Sequence, residues 1–212
     1  MESSAIILST AYLPPVEYFA AIASSKQVIL EVCENYQKQS YRNRCKILSA
    51  DGVLPLSIPI ARVAQPSNPI KTHKASIGSI EIDYSQAWLQ MHTRAIDAAY
   101  MNSPFYEYYR SEFLTLLCSK EKNLLKYNTA LTELLLRLCG IRAELCQTSE
   151  YQPASYYAQM GVEDLREVIH PKRPSLKRGK PYWQAFAKQG FTPNLSVIDL
   201  LFNEGPDAIS YL

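Results

Sequence analysis

Two short apolar runs, Ala5 to Thr10 and Val28 to Cys33, stand on either side of a helical pattern, and that order constrains the fold more than any other feature of the chain. The first run is rich in Ile and Leu and bounded by polar residues, as a buried strand is. Tyr12-Leu13-Pro14-Pro15 then turns the chain. Pro15 suits a first helical position, where its missing N–H costs nothing, and Val16, Phe19, Ala20 and Ala23 recur at helical spacing before Ser24 and Ser25. Strand, helix and strand in so short a span predict a parallel pair with a right-handed crossover, the Rossmann-like β-α-β start of an α/β fold.

Further along, Cys45 to Ser49 and Val53 to Ile60 flank Asp51-Gly52, a dipeptide that supplies the positive φ angles of a tight hairpin turn, so an antiparallel hairpin is expected. Residues 61 to 76, with Pro66, Pro69 and His73, read as a mobile loop before a strand from Ile77 to Asp83. Three helices packed on the sheet follow, over about 85–101, 104–118 and 121–139. The last is amphipathic through Leu124, Leu131, Leu134, Leu135 and Leu138, and Gly140 ends it. Ile141 to Thr148 returns to the sheet, Val162 to Ile169 reads as a short helix, and His170 to Pro181 as an exposed irregular segment carrying Lys172 and its basic neighbours. Tyr182 to Leu212 is expected to hold a short aromatic helix and the apolar run Leu195 to Phe202. The 212 residues form one domain in this reading, with no internal repeat.

Composition narrows the function classes. A net charge of +2 gives no general attraction to nucleic acid, and no run approaches the roughly 20 apolar residues of a membrane helix. Five scattered cysteines without a CxxC pair, and three isolated histidines, predict neither zinc nor disulfides, and with the lack of a signal segment they point to the cytoplasm. Fifteen tyrosines beside six phenylalanines suit stacking on sugar rings or partner surfaces, or a Tyr-rich periphery of helices, the reading favoured for most of them.

Glu34 to Arg44, ENYQKQSYRNR, is the densest run of hydrogen-bonding side chains. Glu34, Tyr36, Lys38, Tyr41, Arg42, Asn43 and Arg44 could surround an anionic or hydroxyl-rich ligand, since arginine binds carboxylate or phosphate as a planar fork. The run follows a strand, and ligands of open α/β sheets gather beyond the carboxyl ends of strands. The alternative is a polar edge strand facing water. Strict alternation would put Lys38, Arg42 and Arg44 on one face and Asn43 and Cys45 on the other. Tyr12 lies on the same edge, while Glu17 already complements the dipole of the Pro15 helix and argues against an anion there.

His92, on one helix face with Trp88, Ile96 and Ala99, is the candidate general base, because an imidazole takes protons near neutral pH. A hydrogen-bonded core histidine is the competing reading. Asp199, a carboxylate among apolar residues, is the other candidate, or else a structural group paired to an arginine. No GxGxxG, GxxxxGK[ST] or GxSxG sequence occurs.

Several blocks together resemble the WbqC-like family: Tyr12 to Phe19 (YLPPVEYF), Glu34 to Arg44, Trp88 to Phe105, Tyr182 to Phe186 (YWQAF) and Asn194 to Gly205 (NLSVIDLLFNEG). The chain departs from many relatives, which resemble QPYFP with a glycine where Glu17 stands. The resemblance implies transfer of glycine or a similar acyl unit to an amino sugar or nucleotide sugar in surface-polysaccharide (O-antigen-like) biosynthesis. It leaves open whether ATP or a preformed activated acyl donor drives the reaction, and whether the chain forms an oligomer. In that role Arg42, Asn43 and Arg44 would steady the oxyanion, His92 or Asp199 would act as base, and Tyr12 and Tyr36 would stack on substrate. The rival reading is a noncatalytic sugar-binding or scaffolding protein of a polysaccharide assembly complex.

Overall fold

The computed structural model describes residues 5–61, 75–176, 179–187 and 190–212. The Pro-rich segment with Pro66, Pro69 and His73, and Lys177 and Arg178 of the basic segment, lie outside the described residues.

The fold is α/β. Strand β1 (Ile6–Ser9) pairs in parallel with β2 (Val28–Glu31), in register from Ile6 opposite Val28 to Ser9 opposite Glu31. Helix α1 (Val16–Ala23) connects them as the sequence predicts. Strand β5 (Leu145–Gln147) adds beside β2, and β6 (Glu163–Asp164) beside β1, giving the parallel order β5-β2-β1-β6. Every residue of β1 is buried, which is why the strand carries Ile-Ile-Leu without polar alternation. The chain leaves β1 to one side for β2 and comes back to its other side with β6, so the order of connection reverses between β1 and β6.

The hairpin is a second, separate sheet. Strand β3 (Arg44–Ser49) pairs antiparallel with β4 (Gly52–Ser57), and Gly52 turns the chain at φ 110°. Cys45 and Ile47 point inward, and β3 packs on α2 (Trp88–Tyr100). Helices α3 (Tyr106–Leu117) and α4 (Leu124–Leu138) complete the expected trio. The Asn123 side chain caps α4 by accepting from the Lys126 N–H at 3.0 Å, and Gly140 closes it at φ 73°.

Helix α6 (Val197–Glu204) is buried from Val197 to Asn203 and packs on α1, α3, α4 and β3, which explains a segment with no polar stripe. Phe202 is the hub of an aromatic cluster, with Tyr100, Tyr106 and Phe113 edge-on at 4.8–5.4 Å between ring centroids. Tyrosine is a core residue here rather than a peripheral one: ten of the fifteen are buried. Their hydroxyls find internal acceptors, among them the carbonyls of Ser9 (Tyr18) and Leu117 (Tyr127).

Four local expectations are corrected. Ile77 to Asp83 is a 3₁₀ turn (Ile77–Ser79) followed by two isolated bridges, because Ile80 to Asp83 bonds alternately to the hairpin exit and to the residues before α4. Val162 to Ile169 is no helix. Its apolar residues Leu165 and Ile169 fit helical spacing, but the backbone pairs with β1 through Leu165 N to Ile7 O at 3.0 Å and then turns, and the helix lies earlier, at α5 (Ala154–Gln159). Tyr182 to Phe186 is irregular, since the Gln184 amide exchanges two 2.9 Å bonds with the Thr192 backbone and closes a loop instead. The run from Glu34 to Asn43 is not a strand either, so the face assigned to Lys38, Arg42 and Arg44 by alternation does not exist. Gln39 adopts φ 59°, Ser40 starts a 3₁₀ turn over Tyr41–Asn43, and β3 begins only at Arg44.

Candidate functional site

The carboxyl ends of the parallel strands each present a polar group to the same edge. Ser9 ends β1, Glu31 ends β2, Asp164 ends β6, and Thr148 directly follows β5. Two buried arginines collect Ser9, Glu31 and Asp164, and Thr148 joins through Glu31.

Arg42 reaches back from the 3₁₀ turn to bind Glu34 as a fork, Nε to Oε1 at 2.8 Å and Nη2 to Oε2 at 2.5 Å, while Nη2 also donates to Ser9 Oγ at 2.8 Å. Ser9 Oγ donates onward to Glu34 Oε2 at 3.0 Å, and Gln37 Oε1 accepts from Nη1 at 3.2 Å. Burial pushes the Glu34 carboxyl above its ordinary value, against the opposing pull of Arg42 and Ser9.

Arg166, two residues past β6, donates to Glu31 Oε2 at 2.7 Å and to Asp164 Oδ2 at 2.6 Å. Its guanidinium lies over the rings of Tyr151 and Tyr157, about 5 Å from each centroid. Thr148 Oγ1 donates to Glu31 Oε1 at 2.7 Å. Burial would lower the Arg166 guanidinium, but Asp164 and Glu31 outweigh it and hold it above the ordinary arginine value.

Between the two arginines, beyond the ends of β1 and β6, lies a cavity of about 10 Å³ walled by Ser9, Thr10, Tyr18 and Tyr41 and roofed by Leu165 and Ile169. It is the crevice expected where strand order reverses, and it has room for about one water. Residues 165–176 form a strap whose Leu165, Arg166 and Ile169 line it. Gln37 Nε2 donates to Glu167 Oε1 at 2.5 Å, Lys172 donates to Gln39, and Ser175 Oγ and the Leu176 N–H both donate to Glu17 Oε2 at 2.8 Å. Glu17 is thus a buried anchor for the strap. The first N–H groups of α1 are also taken, Val16 by the Leu195 carbonyl at 2.8 Å and Glu17 by Asn194 Oδ1 at 3.1 Å.

Of the sequence candidates, Glu34, Tyr41 and Arg42 belong to this edge. Lys38 is exposed and Tyr36 is buried near Arg44, with burial lifting its phenol to about 12. Asn43 Nδ2 donates to the Ile58 carbonyl at 2.8 Å, which ties it to the hairpin. Tyr12 and His92 form a pair of their own, hydroxyl to Nδ1 at 2.9 Å, with Trp88 edge-on to the imidazole at 5.1 Å. Burial lowers His92 to about 4, so the ring is neutral at pH 7. Asp199 accepts from Tyr100 (2.9 Å), Tyr182 (2.7 Å) and Gln184 (2.9 Å), with no arginine partner among the described residues, and burial raises its carboxyl. Arg42, His92 and Asp199 therefore stand in three separate hydrogen-bond networks.

Sequence reasoning passed over Ser9, Glu31, Asp164 and Arg166. Glu31 had a legible signal, a carboxylate inside an apolar strand run, whereas Asp164 and Arg166 were hidden by the helical reading of their segment. Among the described residues no group of three or more metal-binding side chains occurs, and no helix is long and apolar enough to cross a membrane.

Comparison with known families matches residues 10–170 and 174–211 to the WbqC-like protein family. An uncharacterized protein of Mycobacterium tuberculosis is 27% identical over an alignment of 237 positions, which covers all of this chain and 98% of the relative. No solved structure matches.

Proposed function

Because this chain belongs to the WbqC-like protein family, we propose that it is a cytoplasmic transferase that adds glycine or a similar acyl unit to an amino sugar or nucleotide sugar during surface-polysaccharide assembly of the O-antigen kind. The observation that carries the reading is the convergence of Ser9, Glu31 and Asp164 from three strand ends on Arg42 and Arg166, at the point where the sheet order reverses. Forked guanidinium groups there suit the phosphate or carboxylate of an activated donor or acceptor.

Amide formation needs an activated acyl group, supplied as an adenylate, a thioester or an aminoacyl ester. The acceptor amine attacks its carbonyl carbon, the oxyanion is steadied by an arginine N–H, a base takes the proton released from nitrogen, and the tetrahedral intermediate collapses by breaking the acyl C–O or C–S bond, releasing AMP, the thiol or the ester's alcohol. Glu34 fits that base better than His92 or Asp199. Its carboxyl is raised, it borders the crevice through Ser9 and Arg42, and carboxylates perturbed in this way cluster at functional sites. Opening of the 165–176 strap would admit substrate.

The test is mass spectrometry of nucleotide amino sugars incubated with the protein, glycine and ATP, and in parallel with glycyl thioester. A glycyl mass gain that Glu34→Gln removes supports the reading, and absence of any gain with either donor counts against transfer. A second reading, a noncatalytic sugar-binding or scaffolding protein, is favoured by one observation: protein partners take four of the five N–H donors of Arg42 and the crevice is closed to about one water. That reading predicts binding of the sugar without any mass gain.

A further inference from the structure

A second pocket lies on the far side of Tyr41, which walls both it and the crevice. It encloses about 210 Å³ between β3, β4, the strap and the loop leading to α6. Its polar lining is Tyr41, Lys46, Arg173, Ser175, Thr192 and Asn194. No carboxylate is among the lining residues. Glu17 lies behind them, with one carboxylate oxygen already taken up by the strap.

The two cations of this pocket are weakly committed. Among the described residues Lys46 Nζ has one hydrogen-bond partner, the Pro171 carbonyl at 3.4 Å, and the exposed Arg173 guanidinium has no hydrogen-bond or ion-pair partner. Asn194 spends its Oδ1 on the Glu17 N–H, which leaves its amide N–H₂ as a donor. A phosphate monoester carries about −1.5 to −2 charge at pH 7, which two cations lining one pocket match. The volume is below the roughly 300 Å³ at which sites for drug-sized ligands begin, so it suits one sugar ring with its phosphate.

We infer that this pocket is a subsite for a phosphorylated monosaccharide, its phosphate held between Lys46 and Arg173 and its hydroxyls by Asn194, Thr192 and Tyr41. The role of that sugar as acyl acceptor, one tyrosine ring away from the crevice, rests on the transferase reading, whereas its binding does not.

Calorimetric titration with glucosamine 1-phosphate, glucosamine and inorganic phosphate tests the assignment. The sugar phosphate should bind in low salt. Arg173→Ala should weaken it about tenfold or more, as expected for loss of a charge-assisted contact, and Lys46→Gln should do likewise. The Arg173 side chain is exposed and has no hydrogen-bond or ion-pair partner among the described residues, so the thermal midpoint of that variant should match the parent. Inorganic phosphate should bind more weakly than the sugar phosphate, and glucosamine should not bind detectably. Unchanged affinity in both variants, or equal affinity for inorganic phosphate and sugar phosphate, overturns the subsite. Glucosamine 1-phosphate that binds through Arg173 but gains no glycyl mass with either donor, when nucleotide amino sugars gain none either, overturns the transferase reading and leaves the subsite standing.

Discussion

Lowering the pH from 7 to 4 should destabilise the fold through His92, and the size of the effect follows from its surroundings. The imidazole is 4% exposed, faces the Tyr12 hydroxyl on one side and the edge of Trp88 on another, bonds to the Ser57 backbone, and has no carboxylate against it among the described residues. Burial depresses it from 6.5 to about 4. In the unfolded chain the ring gains a proton as the pH falls through 6.5, whereas in the folded protein it stays neutral until about 4. The unfolded state thus binds more protons over that window, so the contribution of His92 is complete above about 6.5 and is lost on acidification, about 3 kcal/mol in all. Glu34 and Asp199, both raised by burial, act with the opposite sign, since their contribution is complete at low pH and declines as the pH rises through their folded values. The experiment must therefore be differential. Urea unfolding of the parent and of His92→Gln at half-unit steps from pH 4 to 7.5 should give curves whose difference changes by about 1.4 kcal/mol per unit between pH 4.5 and 6, and by nothing above 7. Parallel curves, or an imidazole resonance that titrates near 6.5 in the folded protein, would refute the argument.

Arg42→Ala should cost about 3–5 kcal/mol, because it leaves Glu34 buried and unpaired, while Arg42→Met with Glu34→Leu should cost distinctly less; chemical denaturation compares the two. Asp199→Asn keeps the shape but offers one acceptor oxygen to three donors, so a loss of about 1–3 kcal/mol is expected by the same assay, and no loss would mean that the carboxyl is already protonated and shares its hydrogen bonds differently. Gly205→Ala would place a Cβ 2.5 Å from the Phe105 ring at φ 55°, whereas Gly140→Ala, also at positive φ, meets nothing within 4 Å. The thermal midpoint should therefore fall much further for Gly205→Ala, with Gly140→Ala costing only the roughly 1 kcal/mol of the backbone conformation.

The parts of the fold that rest on local pattern were legible in the sequence. The β1-α1-β2 unit, the Asp51-Gly52 hairpin and helices α2 to α4 each carry their own spacing and stop signals, and all are present. What escaped was settled by distant partners. Glu163-Asp164 is strand only because β1 offers it an open edge, and Ile80 to Asp83 is drawn out between two neighbours that no local window contains. The candidate site divides the same way. Arg42 with Glu34 could be suspected from an eight-residue separation, but Arg166 with Glu31 joins residues 135 apart in sequence. His92 and Asp199 looked reactive because polar groups among apolar residues do, and the side chains that occupy them, Tyr12, Tyr100, Tyr182 and Gln184, come from elsewhere in the chain.

The place of β6 beside β1 has a consequence for the nascent chain. Ile6 pairs with Glu163, so on a ribosome adding about 5–20 residues per second the outer edge of β1 waits roughly 8–30 s for its neighbour. Over the same interval Glu31, destined for complete burial, has no Arg166 to meet it. The early β-α-β unit therefore emerges with one naked strand edge and one uncompensated charge, a combination that resists deep collapse while leaving a template for wrong pairing. Both gaps close only once Asp164 and Arg166 have been made.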